Sequence, residues 1–258
     1  MDVPDPSGTS SPQENTAPED AAGTRDKEAE AVRRAALARL PRRRLVDLDL
    51  DDLAREAGVD GSAVHKTYPG EWDLLTDLVM GAYNAMGDAA ERAAGPDADQ
   101  EPSPLAEWVA VCRNVRRWAL DHPHEYALIW AAPVPGYSAP PETMAAGART
   151  VLALLAPLRR ALAAGTLAAH AEDPELSEGM RRNVEPLTGG LLAGLPDPVV
   201  ARMLTAWTQL HGMLGFEVYG HIAGVAADPE AFYTYSATAM GAHVGLPRAP
   251  HAGHPPTQ

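Results

Sequence analysis

Apolar residues recur at steps of three and four along most of this chain, and no stretch shows the strict alternation of a half-buried strand. Val32, Ala35, Ala36 and Leu40 share one face of 26–40, which predicts a first amphipathic helix stopped by Pro41. Asp49 is placed to cap a short helix that runs to about Ala57 and ends at Gly58. Asp60 is placed to cap a second, 61–67, which Pro69-Gly70 breaks. A longer helix over 70–94 carries Leu74, Leu75, Leu78, Val79, Ala82 and Met86 inward. The linker "GPDADQEPSP" then separates it from helices predicted at 104–120, 123–131, 141–169, 197–225 and 228–244. Between these, 132–141 reads as a proline-rich loop and 170–196 as broken helical pieces. The expected fold is all-α, a three-helix N-terminal unit (26–70) followed by a larger helical body (71–246). Residues 1–25 and 247–258 read as loose tails.

Composition narrows this picture. With 258 residues there is enough chain for a sizeable core. A single cysteine, Cys112, excludes an internal disulfide and suits a reducing compartment. The N-terminus lacks a basic start followed by an apolar stretch, and no apolar run approaches a membrane span. The expectation is a soluble cytoplasmic protein with no membrane partner. Charge complicates the N-terminal unit. The chain carries a net −14, and residues 47–75 hold eight acidic side chains against Arg55 and Lys66. Nucleic-acid binders ordinarily present a basic face, because affinity for phosphate rests largely on counterion release.

Two short helices joined by "AGVD" after an amphipathic helix meet the physical requirements of a helix-turn-helix. Leu53, Ala57, Val59 and Val64 are spaced to pack the pair on the first helix, with Ala57 and Gly58 small at the crossing. The stretch "LAREAGVDGSAVHKTYPGEWDLL" (53–75) resembles the N-terminal domain of the TetR family in order and spacing, over about residues 27–80. "APVPGYSAPPE" and "WTQLHGMLGFEVYGH" resemble the ligand-binding domain of a TetR subgroup with a Trp-His-Gly signature. The resemblance implies a homodimer, an unknown small-molecule ligand inside each body, and release from a palindromic double-stranded DNA operator when ligand binds. It assigns DNA contact to Ser62, Ala63, His65, Lys66, Thr67 and Tyr68, with Arg42, Arg43 and Arg44 toward flanking phosphate. Three positions depart from the pattern. His65 stands where the family usually has Tyr, Thr67 where it often has His, and Glu71 where a Lys usually touches phosphate. A carboxylate there, with Asp49, Asp51, Asp52 and Asp73 nearby in sequence, repels a phosphate backbone, while Arg33, Arg34, Arg39, Arg55 and Lys66 attract it.

In the body, Trp108, Cys112, Tyr126 and Trp130 fall on inward faces, as ordinary core or as the lining of a ligand pocket. Val200, Leu204, Trp207, His211, Val218 and Ile222 share an arc of the 197–225 helix, so Trp207 and His211 join the ligand-binding candidates. Gly212, Gly215 and Gly220 reduce bulk there, which fits close approach by another helix in a dimer bundle with 228–244. Glu217 and His221, one turn apart, are spaced to pair, and with His211 they are the catalytic candidates if the body is an enzyme. His122 with Glu125 has metal-ligand spacing, yet two ligands at a helix start read better as a cap and a solvated face; no metal or cofactor is expected. The leading expectation is a ligand-responsive repressor. The alternatives are a TetR-like fold with weakened DNA binding turned to small-molecule binding or catalysis, and a non-DNA-binding heterodimer partner.

Overall fold

The computed structural model of the chain describes residues 17–40, 49–92, 103–131, 133–170 and 173–247. Among them the only regular element is the helix: α1 (Ala17–Arg39), α2 (Leu50–Ala57), α3 (Gly61–Thr67), α4 (Glu71–Glu91), α5 (Pro104–Asp121), α6 (Pro123–Trp130), α7 (Thr143–Ala163), α8 (Glu178–Thr188), α9 (Asp197–Val218) and α10 (Pro229–His243). The all-α expectation holds. The chain divides into a unit ending at Leu74 and a unit beginning at Leu75, with α4 starting in the first and running mostly in the second. Arg42, Arg43, Arg44 and the side chain of Glu71 lie outside the described residues.

In the first unit, Val32, Ala35 and Ala36 of α1 are buried with Leu53 and Ala54 of α2 and Val64 of α3. The caps follow from residue chemistry. Asp49 accepts from the Asp52 N–H at 3.0 Å, and Asp60 accepts from the N–H groups of Ser62 and Ala63, meeting donors that a helix start leaves orphaned. Gly58 sits at φ +67°, and a Cβ there would meet nothing within 4 Å. Its job is therefore the left-handed stop of α2 rather than close helix crossing. The start of α4 is tied by Asp73, whose carboxylate accepts from the Gly70 N–H at 2.8 Å.

In the second unit α5 is central and packs on α7, α9 and α10. Ser103 caps it and Pro104 fills its first turn, where a missing N–H costs nothing. Trp108, Val111, Cys112, Val115 and Ala119 are buried at steps of three and four, with the expected inward residues Trp108 and Cys112 among them. The Trp108 indole donates to the Ala237 carbonyl at 3.0 Å, and the Tyr233 hydroxyl donates to the Cys112 carbonyl at 3.0 Å, tying α5 to α10. Closest approach falls on Gly241 of α10, where a Cβ would come 2.5 Å from Leu105 Cδ1 and 2.9 Å from Trp108 Cδ1. The sequence expectation had placed close approach on Gly212, Gly215 and Gly220. Within this chain a Cβ at Gly212 or Gly220 meets nothing within 4 Å, and one at Gly215 meets only Tyr219 of its own helix. Among the described residues no helix is long and apolar enough to cross a membrane.

Candidate functional site

The second helix of the helix-turn-helix, α3, turns Ser62, His65, Lys66 and Thr67 outward, because Val64 is the residue its helical period sends into the core. Ala63 is half-buried. Tyr68 was expected to face DNA, but it is only 3% exposed. It caps the C-terminus of α3, its N–H bonded to the Val64 carbonyl at 2.8 Å, so its ring points inward and is withdrawn from the surface. Beside the exposed face, Arg25, Asp26 and Ala29 of α1 and Ala63, Lys66 and Thr67 of α3 line a cleft of about 500 Å³.

Among the described residues, several acidic side chains of this unit have local partners. Asp51 accepts the His65 ring at 2.8 Å, and Asp52 takes Arg55 at 2.6 Å. Glu56 takes Arg39 at 2.6 Å, and Arg33 bonds Glu30 at 2.8 Å. The hydroxyl of Ser62 and the α3 backbone hold the Asp60 carboxyl below its ordinary range. Part of the basic strip expected to reach phosphate is thus already engaged within the unit.

In the body, the C-terminal turns of α6 and the middle of α9 bring Tyr126, Trp130, Trp207 and His211 into one aromatic cluster. The His211 ring stacks on Trp130 with centroids 3.6 Å apart and meets Trp207 edge-on at 4.3 Å. Trp130 and Trp207 are edge-to-face at 5.5 Å, an arrangement favoured by the ring quadrupoles. The Tyr126 hydroxyl donates to the His211 carbonyl at 3.2 Å and lies 3.5 Å from His211 Nδ1. Burial pushes the His211 imidazole down to about 3, so it is neutral at physiological pH. Trp130 Nε1 and His211 Nε2 are buried without a hydrogen-bond partner.

Trp207 also forms one wall of a groove of about 330 Å³. Met144, Gly147, Ala148 and Val151 of α7, Leu187 of α8 with Leu191 and Leu192 just beyond it, and Met203 and Leu204 of α9 supply the rest. No charged side chain lines it. Of the six ligand-binding candidates, Trp207 alone lines this groove, while Tyr126, Trp130 and His211 stand behind it. Trp108 and Cys112 lie in the closed core, where burial pushes the thiol well above its ordinary value.

The residues proposed for catalysis are held apart by other partners. Glu217 does not pair with His221. Its carboxylate takes the Arg116 guanidinium in a two-pronged contact, 2.8 Å from Nε and 2.6 Å from Nη2, with side chains 11% and 15% exposed. Arg116 also lies over the Tyr233 ring, 5.4 Å from its centre. A buried carboxylate requires such a cation, and Arg116 of α5 is nearer than the exposed His221, which rests on Phe216. His122 does contact Glu125, at 3.2 Å, as an exposed pair at a helix start. Among the described residues no group of three or more His, Cys, Asp or Glu is placed to hold a metal ion.

Two features escaped the sequence reading. Arg149 of α7 binds Asp88 at 2.5 Å, Glu91 at 2.6 Å and the Asn84 carbonyl at 3.1 Å, clamping α7 to α4. Arg202 of α9, buried, holds Asp173 at 2.5 Å beside a second cavity of about 310 Å³ that His243 also lines. Both join residues far apart in sequence, which local periodicity does not reveal.

The first unit has the architecture of a helix-turn-helix reader, and the second is an all-helical body with an apolar groove. Residues 108–240 match the family described as tetracyclin repressor-like, C-terminal domain. The chain is 31% identical over 204 residues to the HTH-type transcriptional regulator Rv1816 of Mycobacterium tuberculosis, spanning 76% of this chain and 85% of that protein. Mb1846 of Mycobacterium bovis, also an HTH-type transcriptional regulator, matches to the same extent. Among solved structures, one described as a regulatory protein, SCO4313, superposes with a TM-score of 0.63 at 25% identity, covering 85% of this chain and 97% of that one. A protein of unknown function from Rhodococcus sp. RHA1 shares the fold, with a TM-score of 0.58, 23% identity, and coverage of 83% and 95%. The chain belongs to the TetR family of transcriptional regulators.

Proposed function

We propose that this regulator binds a palindromic operator as a homodimer through the exposed face of α3, and that a small molecule in the body releases it, so that it acts as a repressor. The observation that carries the reading is the outward set Ser62, His65, Lys66 and Thr67, bordered by Arg25 of α1 across a shared cleft. The acidic residues nearby weigh less than their number suggests, because Asp49, Asp60 and Asp73 cap helices while Asp51 already bonds the His65 ring and Asp52 the Arg55 guanidinium. The contact of Trp207 with His211, followed by Gly212, supports placing the body in the Trp-His-Gly subgroup. The apolar groove beside that contact supports a ligand site.

A mobility-shift titration of the full chain against DNA flanking its own gene tests this. Lys66→Ala is expected to weaken binding across sequences and to reduce the salt slope by about 1. Absence of any shift at low salt would instead favour a second reading, a TetR-fold small-molecule carrier. That reading is motivated by the carboxylates that already engage His65, Arg39 and Arg55.

A further inference from the structure

We infer that the cavity at Arg202 binds a small zwitterion, an apolar α-amino acid, whose carboxylate meets the Arg202 guanidinium and whose ammonium meets Asp173. This cavity, about 310 Å³ among α8, α9 and α10, shares no lining residue with the apolar groove, so the two are separate sites. Arg202 is 5% exposed, and a charge buried to that extent is costly unless its donors are met. A guanidinium has five N–H donors. The bond to Asp173, 2.5 Å from Nη1, uses one side of the group, and Nε is buried without a partner. Arg116 shows what a satisfied guanidinium looks like in the same fold, gripping Glu217 through Nε and Nη2 together. Arg202 is held by one prong only. The group stands at the cavity wall, because Arg202, its partner Asp173 and His243, whose imidazole feels the charge of both, all line it.

The walls decide the charge of the ligand. Beside Arg202 stand two carboxylates, Asp173 and the exposed Glu175. His243 adds no cation at neutral pH, since burial first and Arg202 second push its imidazole below the ordinary value. A molecule carrying only a carboxylate would satisfy Arg202 and be repelled by both acids. One carrying only an ammonium would pair with an acid and leave the guanidinium edge unmet. An α-amino acid supplies both charges. Asp173 engages Arg202 through a single oxygen, so its second oxygen is left to accept the ammonium. An uncharged carboxamide also offers a donor and an acceptor, but bonds between charged groups are roughly twice as strong. The remaining wall comes from Pro174, Leu176, Met180, Pro198 and Ala201, which suits an apolar side chain.

Calorimetric titration of the full-length protein with L-phenylalanine, 2-phenylethylamine, 3-phenylpropanoate and 3-phenylpropanamide tests the inference. These probes share the aromatic side chain and carry both charges, the ammonium alone, the carboxylate alone and neither. Phenylalanine is expected to bind about tenfold or more tighter than any of the others. Arg202→Met should bring phenylalanine down to the affinity of 2-phenylethylamine, and Asp173→Asn down to that of 3-phenylpropanoate. Ala201→Phe, which fills the cavity from a half-buried position, should abolish binding and decides the matter if the other two variants do not fold. Equal or tighter binding of a probe lacking either charge overturns the zwitterion assignment. Phenylalanine binding unchanged by Arg202→Met or by Ala201→Phe, or no binding of phenylalanine at all, overturns the site.

Discussion

His211 shows how a single side chain can be placed correctly and still be misjudged in its partners. Its position on an apolar arc is legible from the helical period, as is its need for a hydrogen bond. That its Nδ1 meets the Tyr126 hydroxyl, at 3.5 Å, and that the far nitrogen stays unpaired, depends on α6 crossing α9, which the sequence does not encode locally. The burial has a consequence for stability. The unfolded chain protonates this imidazole near 6.5, whereas in the folded protein the value is about 3. Below 6.5 the unfolded state therefore binds the extra proton, and stability falls as pH is lowered, by about 1.4 kcal/mol per pH unit until the folded value is reached. Above 6.5 the contribution is flat. Between pH 7 and 5 the chain should lose about 2 kcal/mol through this group, measured as a lower urea midpoint, and His211→Gln should flatten that part of the profile. Gly241 is the opposite case, since nothing in the local sequence marks it. A methyl group there would press on Leu105 and Trp108, so Gly241→Ala is expected to cost about 1–3 kcal/mol in the same assay despite better helix propensity.

At the scale of elements, the starts of helices α2 and α3 follow from their capping residues, while several ends and the start of α1 differ from the expectation. Starts carry side-chain signals: Asp49 and Asp60 cap as the sequence suggested, and Ser103 with Pro104 and Asp228 with Pro229 open α5 and α10 by the same chemistry. Ends depend on whether packing continues. Helix α9 stops at Val218 rather than near 225, because Gly220 and Gly224 adopt left-handed conformations. Helix α7 stops at Ala163, with Gly165 left-handed just beyond. Helix α1 begins at Ala17, well before the predicted start at 26. The buried stripe of α9 also shifts. Val199, Val200, Met203, Ala206, Leu210 and Leu214 are buried, leaving Trp207 and His211 at its side, where Trp207 lines the groove and His211 packs against it. The groove itself was not legible, as its walls are ordinary Leu, Met and Gly residues of three helices. The joint between α7 and α4 rests on Arg149, whose fork reaches Asp88 and Glu91 together. Arg149→Met should destabilise the chain by about 1 kcal/mol in low salt and by less in high salt, because the two carboxylates are half exposed. Arg149→Lys should recover only part of the loss, since an ammonium cannot fork.

For the molecule as a whole, two surfaces remain unexplained by the fold of one chain. The first runs over the end of α9, the turn beyond it and α10, where Phe216 is 56%, Val225 74% and Tyr235 75% exposed. Large apolar groups left this exposed are candidates for an interaction surface. They are where the proposed dimer would form, with the open sides of Gly212 and Gly220 available to a second helix. Tyr235→Asp combined with Phe216→Asp should convert the dimer to monomer in sedimentation velocity while leaving helical content unchanged; a monomeric wild type would remove the dimer from the account. The second surface is the outward face of α3, on which the central claim rests. Its most direct test is an anisotropy titration of the full-length protein with a duplex selected from a random pool, repeated from 50 to 200 mM salt. The account predicts tight binding that favours the selected palindrome over a scrambled duplex and weakens steeply with salt, roughly in proportion to the phosphates contacted. Equal, weak binding to both duplexes at the lowest salt would contradict it.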